Sequence, residues 1–175
     1  MYNTLIMILL ALSSASCNGH LPKKGENSNI VAKPENSHED TLSVLTLDGD
    51  QYKDKVFKII QLYSFEKDRN FIEVKENDST LSIIRIPTGL EAKNLSVNDI
   101  VKTGTGFKIL VDWGGGNYFY KRDFHFSFVN NQFLFVRLET SMYYLEDDKE
   151  EKKVIEIDPP ILLHEFELMD YIVNE

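Results

Sequence analysis

Two runs of alternating aromatic and polar residues, YFYKRDFHFSFV and QFLFVRLETSMYY, are separated only by Asn130 and Asn131. Asparagine tolerates positive φ, and a two-residue connection between alternating runs calls for a tight antiparallel hairpin. This feature restricts the fold most strongly, because strand side chains alternate with a period of two and the turn decides which of them share a face. Pairing Phe128 with Phe133 places Phe126 opposite Phe135, Phe124 opposite Arg137 and Arg122 opposite Glu139. One face is then aromatic, with a cross-strand ion pair beyond it. The other carries Asp123, His125 and Ser127 beside Leu138, Val136 and Leu134. Such a hairpin covers a core with its Phe face. His125 reads as a half-exposed strand residue, since no catalytic partner stands near it in the sequence.

Short runs of Val, Ile, Phe, Tyr and Leu, broken by Gly, Asn, Asp and Pro, continue around the hairpin. They predict strands over 42–47, 55–63, 71–75, 81–86, 106–113, 118–129, 132–144 and 153–157. LEDDKEEKK, residues 145–153, reads as a solvated hairpin tip, and the alternation of His164-Glu165-Phe166-Glu167-Leu168 predicts a final strand. Eleven Phe and eight Tyr in 175 residues are ample for a core. The expected fold is therefore mostly β, a single antiparallel β-sandwich or strongly twisted sheet domain over residues 41–175.

The start of the chain is different. Leu5-Ile6-Met7-Ile8-Leu9-Leu10-Ala11-Leu12 is long enough for the apolar part of an export signal and short of the ~20 residues that span a bilayer. Small residues follow and then Cys17, the only cysteine, which has no partner for an internal disulfide. Ser14-Ala15-Ser16-Cys17 resembles the signal ending of the bacterial lipoprotein family, in which small residues precede a cysteine that receives a diacylglycerol. Ser14 stands where Leu is usual, and Met1-Tyr2-Asn3-Thr4 lacks the customary Lys or Arg. The resemblance implies a signal peptide over residues 1–16, lipidation of Cys17, and export to the cell envelope. The protein would then be lipid-anchored to the inner or outer membrane, facing the periplasm or the cell surface. Residues 18–40 are polar and without periodicity, a tether with an r.m.s. reach of roughly 25–30 Å.

Two segments invite a ligand. Around Thr46-Leu47-Asp48-Gly49-Asp50-Gln51-Tyr52-Lys53-Asp54, alternate Asp residues can turn several carboxylates toward one cation. The segment resembles a single degenerate FG-GAP repeat, which implies a weak calcium site at Asp48, Asp50 and Asp54. A propeller needs several such repeats and only one is present, so that architecture is not expected. The reading from the residues themselves is an Asx-rich turn whose carboxylates cap backbone amides. An LDGD turn with a later glycine run and aromatic strand is also similar to small Gram-negative lipoproteins, a likeness that implies no activity. Trp113-Gly114-Gly115-Gly116-Asn117-Tyr118 lacks the Lys-Ser/Thr of a phosphate loop and reads as a sharply turned connection. Trp113, Tyr118 and Tyr120 beside it form a candidate binding surface for protein or glycan.

A net charge of −9, carried wholly after residue 16, repels phosphate backbones and argues against nucleic acid. No HExxH, Gly-x-Ser-x-Gly or paired-cysteine motif occurs. The expected function is a membrane-anchored, non-enzymatic binding or interaction module without a cofactor beyond weak calcium. An immunity lipoprotein that neutralises a toxin and a glycan-directed envelope enzyme are the alternatives.

Overall fold

A computed structural model describes residues 39–146 and 148–172. The expected signal peptide, Cys17 and the tether up to residue 38 lie outside the described residues. Nine strands follow one another: β1 Glu39–Leu47, β2 Phe57–Ser64, β3 Arg69–Glu76, β4 Ser79–Arg85, β5 Ser96–Lys102, β6 Gly106–Gly115, β7 Tyr118–Val129, β8 Gln132–Tyr144 and β9 Lys149–Leu162. They make two antiparallel meanders, a four-stranded sheet β1-β2-β3-β4 and a five-stranded sheet β5-β6-β7-β8-β9. The fold is mostly β and forms neither a closed barrel nor a propeller. No helix among the described residues is long and apolar enough to cross a membrane.

Alternation explains the layers. Phe107, Ile109, Val111 and Trp113 of β6 are all buried, while Lys108, Leu110 and Asp112 between them point the other way. Phe57 and Ile59 of β2 and Ile72 and Val74 of β3 join them in one core with Phe124, Phe126, Phe133 and Phe135. Phe57 of the first sheet meets Phe133 of the second edge-on at 5.0 Å, and Phe107 stacks on Phe126 at 4.9 Å. Each such pair adds about 0.5–1.5 kcal/mol beyond the burial itself.

The hairpin turns at Asn130 and Asn131, both with positive φ, and its register matches the sequence reading as far as Phe126 opposite Phe135. Beyond that point the pairing shifts. Val136 is an extra residue on β8, so Phe124 faces Leu138 rather than Arg137, and Arg122 faces Thr140 rather than Glu139. The cause is burial. The unshifted register would set the Arg137 guanidinium opposite fully buried Phe124, at a large desolvation cost, whereas the bulge puts Leu138 there with 3% of its surface exposed.

Three other expectations are corrected. Strand β5 has no counterpart in the sequence reading, because Asn98 and Asp99 interrupt its apolar alternation; Asn98 is an unpaired extra residue against β6. The hairpin tip ends sooner, since β9 already begins at Lys149 and runs to Leu162 through Pro159 and Pro160. Proline fits there because β9 is an edge strand, and its pairing to β8 jumps from Phe135–Ile161 to Arg137–Glu156. The final segment is not a strand. It forms two 3₁₀ turns, Leu163–Glu165 and Leu168–Tyr171, which bury Leu163, Phe166 and Leu168 against the core.

The layer assignment has a direct consequence. Phe126→Ala should destabilise the fold by about 3–5 kcal/mol, as expected for a buried Phe, while Ser127→Ala on the opposite face should be mild. A urea melt of both variants checks this, and equal small effects would contradict the assignment.

Candidate functional site

The face of the five-stranded sheet that points away from the core collects the polar residues of the hairpin. By register, Phe119, Lys121, Asp123 and His125 of β7 stand opposite Tyr143, Ser141, Glu139 and Arg137 of β8. Asp112 and Lys108 of β6 flank them on one side, and Glu150 and Lys152 of β9 on the other. This arrangement follows from the bulge at Val136, which sends Arg137 and Glu139 to the outer face.

Two carboxylates, Asp123 and Glu139, are directly opposite each other, an arrangement that repels unless cations intervene. Lys108 Nζ donates to Asp123 Oδ2 at 2.7 Å, and Arg137 donates to Glu139. His125 Nε2 lies 3.2 Å from Glu139 Oε1 without the alignment of a hydrogen bond. Ligand atoms of Asp123, His125 and Glu139 all fall within 4.8 Å of one another. A divalent cation there would compete with Lys108 and Arg137, which already hold one oxygen of each carboxylate, so the cluster is balanced by the protein's own charges.

Loss of hydration pushes the His125 pKa below the ordinary histidine value of 6.5; Arg137 and Lys108 act in the same sense, while Glu139 and Asp123 oppose it. The hydrogen bond from Arg137 holds the Glu139 carboxyl below its usual range. Glu139 is therefore kept as an acceptor of charge-assisted bonds rather than as a proton donor.

Next to this cluster the outer face sinks into a depression of about 560 Å³, lined by Asp112, Phe119, Lys121, Ser141, Tyr143 and Glu150 among others. A second hollow of about 270 Å³ continues it through Asp123, Glu139 and Lys152. Ser141 Oγ donates to Glu150 Oε1 at 2.5 Å, and Lys152 Nζ pairs with Glu150 Oε2 at 2.9 Å. Phe119 is 48% exposed at the end of the groove. Donors, carboxylates and an aromatic surface thus converge on one open trough, which suits recognition of a ligand with both polar and apolar parts.

Of the aromatics expected at a binding surface, Trp113 is buried. Its indole stacks on Tyr120 at 5.2 Å, and the Arg122 guanidinium lies 4.8 Å from the ring centroid. Tyr118 is open to solvent and meets Tyr144 edge-on at 5.0 Å. Phe119 and Tyr143 escaped the sequence reading, because the unshifted register does not set them opposite each other. The glycine run is a tight turn through Gly116 and Asn117. A Cβ on Gly114, where φ is +116°, would come within 2.5 Å of the Tyr118 carbonyl oxygen.

Asp48, Gly49 and Asp50 lead from β1 into a single 3₁₀ turn, Asp50–Tyr52. Its amides are taken by backbone carbonyls, Tyr52 N–H to Gly49 and Lys53 N–H to Asp50, rather than by Asp side chains. Tyr52 anchors the turn in the core, fully buried. Asp48 pairs with Lys102 at 3.7 Å, and among the described residues the group of possible metal ligands that converges is the Asp123 cluster rather than Asp48, Asp50 and Asp54.

Comparison with protein-family models, with curated proteins and with solved structures finds no match to this chain.

The depressed His125 pKa gives a pH dependence of definite sign. Below about pH 6.5 the unfolded chain protonates this histidine while the folded one resists, so His125 makes stability fall with acidification. The loss spans the window from 6.5 down to the lower folded value. His125→Gln should flatten that part of the profile, measured as Tm against pH, and an unchanged slope would refute the assignment.

Proposed function

We propose that this chain is a lipid-anchored envelope protein acting as a non-enzymatic binding module, which holds a protein or glycan partner in the outer trough of β6–β9. The observation that carries the reading is the trough itself, where exposed Phe119 and half-buried Tyr143 adjoin Asp112, Lys121, Ser141 and Glu150. Glu150 is ion-paired with Lys152 and Asp112 accepts a hydrogen bond from the Asn98 amide, which favours complementarity toward a partner over proton transfer. The anchor rests on the sequence at Ser14-Ala15-Ser16-Cys17.

Each half of the reading has its own test. Metabolic labelling with an alkyne fatty acid should mark the wild-type protein and leave Cys17→Ala unmarked; label that persists in the variant rules out Cys17 as the acceptor. For the module, in-cell crosslinking should recover a partner with the wild type and lose it, by roughly tenfold in affinity for ~1.4 kcal/mol of lost contact, in Phe119→Ala/Tyr143→Ala. Recovery that is indifferent to this pair places the partner elsewhere.

For the turn at Asp48, Asp50 and Asp54 the proposal is calcium affinity no better than about millimolar, because Thr46 and Gln51 replace an Asp and a Gly of the repeat it resembles. Low-millimolar calcium should leave Tm nearly unchanged. A rise of several degrees at micromolar calcium, erased by Asp50→Asn, would overturn it.

A further inference from the structure

The other outer face of the sandwich, on β1–β4, is built differently. Register places Val44, Ile60, Glu73 and Ile83 in one row across it, with Leu62, Phe71 and Arg85 in the next. Leu62 and Phe71 are nearly covered yet stand apart from the inter-sheet core, so this face has an apolar floor of its own. Around that floor Val44 is 54% and Ile83 60% exposed. Both edge strands also carry a bulge, and in each the extra residue is an exposed leucine, Leu42 in β1 and Leu81 in β4. Bulges at sheet edges re-aim side chains, and two that each display a leucine extend the apolar face outward on both sides.

The charge of this face is also unlike that of the chain. Lys58 and Lys75 are cross-strand neighbours, and with Arg69 and Arg85 they outnumber Glu39, Glu73 and Glu91 by one, Glu73 pairing with Lys75 and Glu91 with Arg85. The chain as a whole carries −9. An apolar, slightly cationic face is thus set on an acidic molecule, and it includes β1, the strand that begins 22 residues after Cys17. β1 is therefore the described strand nearest along the chain to any bilayer that Cys17 enters.

We infer that the outer face of β1–β4 rests on a lipid surface with anionic headgroups, with Leu42, Val44, Leu81 and Ile83 entering the boundary between headgroup and acyl chain. Four aliphatic side chains and a small positive excess bind only weakly by themselves, but an anchor raises their effective concentration at the membrane and makes weak contacts count. This inference builds on the lipid-anchor reading. It orients the molecule, since the trough on the opposite sheet then points away from the bilayer.

The test separates the face from the anchor. All the described strands lie in the chain from residue 17 onward, so that form carrying Cys17→Ala has both sheets and no acyl group. In flotation with phosphatidylethanolamine/phosphatidylglycerol vesicles it should associate measurably, and Val44→Glu/Ile83→Glu should reduce association at least fivefold with near-ultraviolet circular dichroism unchanged. No association of the parent, or equal association of the double variant, overturns the inference. So does a lipid-free dimer in sedimentation that the double variant dissociates, because the face would then be a contact between two copies. Failure of acyl labelling at Cys17 in cells, with vesicle binding intact, would remove the anchor and leave the lipid-facing surface standing.

Discussion

The structure depends on the contact between phenylalanines of the two sheets. Phe57 reaches from β2 to Phe128 and Phe133 beside the β7–β8 turn, and Phe107 joins the same group by stacking on Phe126. Phe166 closes the group from the C-terminal segment, 5.1 Å from Phe126 and 4.9 Å from Phe135. Among the described residues no strand of one meander is ladder-bonded to a strand of the other, so what chiefly holds one sheet on the other is side-chain burial and the fit of these rings. The C-terminal 3₁₀ turns belong to this packing. Their local alternation suggested a strand, but Leu163, Phe166 and Leu168 are needed on one side, over an area already flanked by β4 and β8, and turns deliver them there.

One residue, Val136, connects the core to the candidate site. Its extra place in β8 keeps Leu138 inside, and the same shift carries Arg137 and Glu139 to the outer face beside His125 and Asp123. The polar cluster is thus a consequence of protecting the aromatic core from a guanidinium. The trough farther along the hairpin inherits the shifted register, which is why Phe119 lies across from Tyr143 and Lys121 from Ser141.

The sequence made the strands legible wherever alternation was uninterrupted. β7 and β8 match to the residue, and Asn130-Asn131 located their turn, because period and turn chemistry are local properties. β5 was invisible because its pattern is broken by Asn98-Asp99, and only the neighbouring β6 makes SVNDIVK a strand. The site was legible as an inventory and not as a constellation. His125, Trp113, Tyr118 and Tyr120 stood out by type, but which residues share a face beyond Phe126 depends on a bulge decided by the burial of Phe124, a non-local energy that no window of sequence contains.

The two outer faces of the sandwich can therefore differ without conflict. Each meander is closed on itself in sequence, and the core asks only for one side of each strand. The other side is free to vary: ion-paired and grooved on β6–β9, aliphatic on β1–β4. The strand order places the aliphatic sheet first in the chain and the polar trough last. The charges of β7 and β8 thus keep their hydration on one side, while the exposed leucines of the two bulges on the other side are apolar surface whose burial would gain about 0.8 kcal/mol for each methylene removed from water.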